Sequence, residues 1–166
     1  MDSDEVDRLV AAWRRERPDV DVEPLEVLSR VSRLARHLDL ARREAFGRHE
    51  LEPWEFDVLA ALRRAGDPYV LSPGDLVKQN LVSSGTITNR LDRLETRGLL
   101  KREQDPTDRR GVRVQLTPTG REVVDSSLDD LLAQERAILA TLSAEQQREL
   151  AHTLRDLVIL FDNPVE

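Results

Sequence analysis

The chain has 166 residues and no cysteine, which excludes a disulfide framework, a thiolate metal site, a cysteine nucleophile and a thiol-based redox sensor. That length fits one domain with helical additions, and a domain of this size buries about 70% of its unfolded surface without a metal or cross-link. The net charge of −7 argues against a nucleic-acid binder, but it is unevenly spread: residues 78–121 carry 10 basic and 5 acidic side chains, against 12 and 17 in residues 1–77 and 3 and 10 in residues 122–166.

Apolar residues recur every three or four positions almost throughout, which is the helical period. Val6, Leu9, Val10 and Trp13 stripe a short first helix that starts near Ser3 and ends before Pro18. Pro24 opens a second, with Leu25, Leu28, Val31, Leu34, Ala35, Leu38, Ala41 and Ala45 on one face and Gly47 as its stop. Pro53 opens a third, with Phe56, Val58, Leu59 and Leu62 inside and Gly66-Asp67-Pro68 closing it. Ser72-Pro73 starts a short fourth helix carrying Leu76 and Val77, and Ser83 caps a fifth that runs to Gly98.

The period then changes. Residues 99–103 and 112–116 read as two short strands joined by a polar, turn-forming connector, Gln104 to Gly111, so a β-hairpin with a charged tip is expected. Thr117-Pro118 caps the next helix, to about Ala140, and Ser143-Ala144-Glu145-Gln146 is a capping-box start for the last. Leu150, Leu154, Leu157, Val158 and Phe161 give that last helix more apolar surface than a small domain requires. Surplus faces on the first, second and last helices point to burial against a second subunit.

Two helices joined by a tight turn and followed by strand–wing–strand is the order of a winged helix-turn-helix, so the expected fold is mainly α with a small β-wing. On the wheel of the fifth helix, Ser83, Leu91, Leu94 and Gly98 fall within about 40° of Ile87 and with it form the inner face. Thr86, Asn89, Arg93 and Thr96 lie opposite. With the Ser- and Thr-rich start, these are the residue types that reach base edges and phosphates from a helix in a major groove. The candidate DNA contacts are Ser83, Ser84, Thr86, Thr88, Asn89 and Arg93 on this helix, with Asp108, Arg109 and Arg110 at the hairpin tip. Arginine on a thin ribbon suits a narrow, strongly negative minor groove.

The run Ser83-Ser84-Gly85-Thr86-Ile87-Thr88-Asn89-Arg90-Leu91-Asp92-Arg93-Leu94-Glu95-Thr96-Arg97-Gly98-Leu99-Leu100, then Asp105 to Arg110, then Leu116-Thr117-Pro118-Thr119-Gly120, resembles the MarR family of bacterial transcription regulators. The resemblance covers about residues 25–162. It implies an obligate homodimer with interlocking N- and C-terminal helices, and two winged-helix lobes on a pseudo-palindromic operator in double-stranded DNA. Asp108 would brace the wing and Arg110 would enter the minor groove. The division it implies is an extra helix over 1–22, a dimerisation region over 23–50 and 118–162, and a DNA-binding lobe over 51–117.

A regulator needs an input. Arg90 sits about 60° from the centre of the inner face, where a charge needs a partner or an anion. Asp57 stands among Phe56, Val58 and Leu59, Arg102 follows the fifth helix on the next strand, and Trp13 offers a flat apolar face. Trp13, Asp57, Arg90 and Arg102 resemble the set that marks a urate-responsive subgroup of the family, which also has an additional first helix. That implies a small planar anionic effector that releases DNA. Two arginines equally suit a di- or tricarboxylate, Asp57 and Arg90 equally suit a structural ion pair, and Trp54 reads as packing.

The leading expectation is a ligand-responsive DNA-binding repressor; the alternatives are a MarR-type regulator without a ligand and a winged-helix protein-interaction module. An enzyme is not expected, because all seven glycines stand singly, no phosphate loop is present and no histidine neighbours a nucleophile. His37, His49 and His152 are scattered, so neither metal nor cofactor is expected. No apolar run exceeds five residues and Met1-Asp2-Ser3-Asp4-Glu5 lacks the parts of a secretory signal, so a cytoplasmic, nucleoid-associated protein with no membrane partner is expected.

Overall fold

The computed structural model describes residues 3–80, 82–106 and 111–162. Its elements run α1 (Glu5–Glu16), α2 (Glu23–Gly47), α3 (Pro53–Arg64), β1 (Val70–Leu71), α4 (Pro73–Asn80), α5 (Ser84–Thr96), β2 (Leu100–Gln104), β3 (Val112–Leu116), α6 (Pro118–Leu139) and α7 (Ala144–Asp162). This is the mainly helical winged-helix arrangement expected from the sequence, with the helix starts where the Ser, Thr and Pro signals put them.

One element differs from expectation. The hairpin is part of a three-stranded antiparallel sheet of order β1-β3-β2, in which Val70 pairs with Gln115 and Leu71 with Val114. Two residues are too few to show an alternating pattern, so only pairing to β3 makes β1 a strand.

The principal core lies where α3, α4 and α5 meet the sheet and the first half of α6. Leu59, Leu62, Leu76, Ile87, Leu91, Leu94, Leu100 and Val114 are its buried aliphatic centre. Phe46, at the end of α2, stacks on Phe56 of α3 with ring centroids 4.0 Å apart and joins the long helix to this core. A separate small cluster of Val6, Val10 and Val22, with Leu25 against it, seats α1 on the start of α2. Across the same seam Arg30 reaches Asp4 at 2.8 Å and Asp7 at 2.6 Å. Asp4 and Asp7 also form a reciprocal capping box, so α1 begins at Glu5.

The end of α5 is locked to the start of α6. Gly98 has φ +69°, a left-handed stop that glycine adopts at little cost. Thr117 caps α6 by accepting from the Gly120 N–H at 3.0 Å, and its hydroxyl donates to the Gly98 carbonyl at 2.7 Å. A Cβ on Gly120 would overlap the Leu99 carbonyl oxygen, so the close approach of α6 to this corner requires glycine. These contacts give the Leu-Thr-Pro-Thr-Gly run its physical meaning: it fixes the C-terminal end of α5 to the start of α6.

Elsewhere apolar surface stays uncovered. No residue of α7 is buried. Leu150, Leu157, Val158, Ile159, Leu160 and Phe161 are exposed on it, as are Val27, Leu28, Val31 and Leu34 on α2 and Leu9 and Trp13 on α1. No helix among the described residues is long and apolar enough to cross a membrane.

Candidate nucleic-acid interface and adjoining cavity

The amphipathic division of α5 is the one its wheel predicts. Ile87, Leu91 and Leu94 are buried, whereas Thr86, Asn89, Arg93 and Thr96 are exposed. Ser83 and Gly98, expected on the inner face, are exposed because they lie just beyond the two helix ends, where the wheel no longer applies. Ser83 is the N-cap: its Oγ accepts from the Thr86 N–H at 3.2 Å and lies 2.9 Å from the Thr86 hydroxyl. Thr88 donates back to the Ser84 carbonyl at 3.0 Å. Ser83, Ser84, Thr86 and Thr88 therefore share one exposed helix start, and Asn89 and Arg93 continue the exposed surface along α5. Asp108, Arg109 and Arg110 lie outside the described residues; β2 and β3 lead to that tip, with Asp105 N–H donating to the Gly111 carbonyl at 2.8 Å.

Arg93 is half engaged already. Its guanidinium lies 4.8 Å from the centre of the Trp54 ring and 3.3 Å from the Glu52 carboxylate. The indole N–H of Trp54 also donates to Glu52. Those two donors, the indole first, hold the Glu52 carboxyl below its ordinary range. Further along the helix, Arg97 donates to Glu55 at 2.8 Å. Glu55 is 2% exposed and also accepts the Glu52 N–H, so it is the buried carboxylate of α3.

The four residues of the expected effector site are only partly brought together. Asp57 and Arg90 line one cavity of about 290 Å³ between α3, the end of α4 and α5, together with Trp54, Arg64, Gln79, Asn80 and Val82. They do not pair with each other there. Asp57 takes Arg42 of α2 at 2.8 Å, and Arg90 stacks 5.2 Å from the centre of the Trp54 ring. Helix periodicity exposes Asp57 while burying its neighbours Phe56, Val58 and Leu59, so it is not the desolvated carboxylate that its surroundings in sequence suggest.

Trp13 and Arg102 lie elsewhere in the chain. Trp13 borders a separate apolar recess of about 300 Å³ with Arg17, Val20, Asp21, Val22, Pro24 and Leu25, at the α1–α2 turn. Arg102 is taken by α5 itself, 2.7 Å from Asp92 and 2.5 Å from Glu95. Its hydrogen bond raises the Arg102 pKa and lowers that of Glu95. Sequence reasoning could place Arg102 after the helix, but not which carboxylates the turn would carry it to.

Trp54 packs against the core, as its place at a helix start suggests, and it also joins the cavity to the exposed face. A signal for it exists in the sequence: Trp54 and Asp57 are three apart on α3, as Arg90 and Arg93 are on α5, so each pair shares a helix face.

A model of the MarR family matches residues 49–111, the stretch that spans α3, β1, α4, α5 and β2. The HTH-type transcriptional regulator PecS of Dickeya dadantii (strain 3937) is 41% identical over 146 residues, 88% of each chain. Among solved structures, a MarR variant from E. coli complexed with operator DNA superposes with a TM-score of 0.66 at 26% identity, covering 83% of this chain and 99% of that one. BpsR of Bordetella bronchiseptica, whose DNA binding is regulated by 6-hydroxynicotinic acid, gives a TM-score of 0.66 at 27% identity, over 80% of this chain and 92% of that one. The chain belongs to the MarR family of DNA-binding transcriptional regulators, which are not enzymes.

Proposed function

We propose that this regulator is a homodimeric, cytoplasmic repressor that binds a pseudo-palindromic operator and leaves it when a small planar anion occupies the cavity between α3 and α5. The observation that carries the reading is the shared cavity of Asp57 and Arg90: one wall of an effector-sized space belongs to the recognition helix itself. Arg90 and Arg64 supply positive charge there, and Trp54 supplies a flat face for a planar ring. Regulation of BpsR by an aromatic acid supports the same ligand chemistry. Urate and small polycarboxylates are the candidates. An anion that attracts Arg90 competes with Trp54 for it and repels Asp57, so occupancy favours a different seating of α5. Release of DNA then requires only that the ligand bind the DNA-incompetent conformer more tightly.

In this reading residues 23–50 and 118–162 join the two protomers, residues 1–22 add to that region, and residues 51–117 form the DNA lobe. The uncovered stripes of α2 and α7 support the dimer. Thr86, Asn89 and Arg93 face the major groove. Ser83, Ser84 and Thr88 position the helix start on phosphates, and Arg109 and Arg110, braced by Asp108, take the minor groove. Trp13 and Arg102 join the effector site only if a second protomer or a shift of α5 carries them there. A regulator with no small-molecule input is the second reading, favoured by the ion pair that already holds Asp57 to Arg42.

The test is a titration of the protein–operator complex, with the chain's own upstream region as probe and urate or citrate as effector. Release that disappears in Arg90→Ala, with operator affinity kept, supports the cavity reading. Loss of DNA binding in Arg90→Ala with ligand affinity intact makes Arg90 a DNA contact instead. Salt dependence tests the DNA reading itself: neutralising roughly 6–10 phosphates costs a factor of about 10³–10⁵ between 50 and 200 mM salt, and a flat response sinks it. Arg110→Ala is expected to weaken all sequences alike, and Asn89→Ala to relax base preference at defined positions.

A further inference from the structure

Arg90 and Arg93 of α5 and Arg97 at its C-cap are spaced to share one helix face, and all three are met by the first turn of α3. Arg97 goes to buried Glu55. The other two clasp a single indole, Arg90 at 5.2 Å and Arg93 at 4.8 Å from the Trp54 ring. The Trp54 N–H is held by Glu52, whose carboxylate also takes Arg93. Glu52, Trp54 and Arg93 therefore form a closed set in which each member contacts the other two.

Arg90 lines the cavity, whereas Arg93, with 60% of its side chain exposed, belongs to the outward face. A guanidinium stacked on an indole and paired with a carboxylate is not free to turn fully toward a phosphate or a guanine. DNA must take Arg93 from that arrangement at a cost equal to what the arrangement contributes. Two like charges on one ring also oppose each other. An anion beside Arg90 removes that opposition and leaves Arg93 better held.

We propose that Glu52 and Trp54 are positioning residues that retain Arg93 in competition with DNA, and that the indole shared by Arg90 and Arg93 links the cavity to the DNA-facing side of α5. The inference rests on the reading of Arg93 as a DNA contact given above. It adds the residues that govern when Arg93 is free to act.

The experiment is a set of double-mutant cycles on operator affinity at fixed salt, with matched thermal unfolding curves confirming that each variant folds. Trp54→Leu removes the ring without altering charge, and Glu52→Gln removes the carboxylate while keeping a side chain able to cap α3. Each is expected to tighten operator binding about 3- to 10-fold, the range of a partly exposed cation–π or ion-pair contact, and both gains are expected to vanish in an Arg93→Ala background. Exposed Glu50→Gln controls for loss of one negative charge near DNA; a gain there equal to that of Glu52→Gln overturns the retention. Equal gains with and without Arg93, or no gain at all, also overturn it. Should Arg93→Ala itself leave operator binding unchanged, the reading of the exposed face fails and this inference falls with it. A loss in Arg93→Ala with strictly additive cycles defeats the inference alone. With urate as probe, Trp54→Leu is further expected to need several-fold more ligand for release, and an unchanged midpoint overturns the link to the cavity.

Discussion

The lobe built from α3, α4, α5, the sheet and the start of α6 differs from the long helices α2 and α7 in where its apolar surface goes. Leu59, Leu62, Leu76 and Leu94 are each completely buried within one chain, whereas Leu160 and Phe161 of α7 are 67% and 82% exposed. Both regions have helical apolar periodicity, and both contain helices with a side-chain cap, Ser83 for α5 and Ser143 for α7. The difference shows that periodicity measures how much surface a helix must bury and says nothing about which chain buries it. The lobe closes its own core and can hold α5 in place. The long helices present a stripe much larger than an isolated chain would leave in water.

That contrast can be broken by mutation, and the largest effect is expected inside the lobe. Leu59→Ala leaves a cavity among fully buried neighbours and is expected to cost about 2–5 kcal/mol in urea unfolding, with no dependence on protein concentration. A concentration-dependent loss would place Leu59 at a subunit contact.

Val158→Glu, 53% exposed in the chain, is the opposite case. In an isolated chain such a change stays within about 0.5 kcal/mol. In a dimer that buries α7 it is expected to weaken self-association about a hundredfold, ~3 kcal/mol, by sedimentation equilibrium. Unchanged self-association would remove α7 from the interface.

Glu55→Ala sharpens the comparison within the lobe, because it deletes the acceptor that Arg97 and the Glu52 N–H both use. A loss of about 1.5–3 kcal/mol is expected, the range for hydrogen bonds to a charged group. An operator affinity that falls further than stability predicts would show that this pair also sets the angle of α5.

The smallest effect is a pH dependence. Arg102 holds the Glu95 carboxyl below its ordinary value, so the folded state binds this proton less readily than the unfolded state does. The contribution is present above the unfolded pKa of about 4.3 and is lost as pH falls through the lower folded value. Wild type is therefore expected to lose stability relative to Glu95→Gln only below about pH 4.3, and a difference between them that stays constant from pH 7 to pH 3 would show that the ion pair contributes nothing.

Much of the architecture was legible because its signals are local. Ser72, Ser83, Thr117 and Ser143 each cap the helix that follows, and Pro24, Pro53, Pro73 and Pro118 stand in first turns, so boundaries could be read from a few adjacent residues. The inner and outer faces of α5 followed from 3.6-residue geometry, failing only at Ser83 and Gly98, beyond the helix ends. The ion pairs were not legible. Asp57 finds Arg42 and Arg102 finds Asp92 and Glu95, choices made by long side chains among several oppositely charged neighbours. Trp54 shows the same limit: its place in sequence marks a helix start, and only the approach of α5 makes it a platform for two arginines.

The sequence by itself therefore determined the order of elements, the winged-helix class and the exposed polar face of α5, because capping, helical period and turn chemistry act over a few residues. Tertiary structure alone decided that Val70–Leu71 would be a strand, that Gly120 must lack a side chain, and that Asp57 and Arg90 would share a cavity without touching. Each of these depends on a partner 15 or more residues away, and nothing local encodes the direction from which that partner arrives.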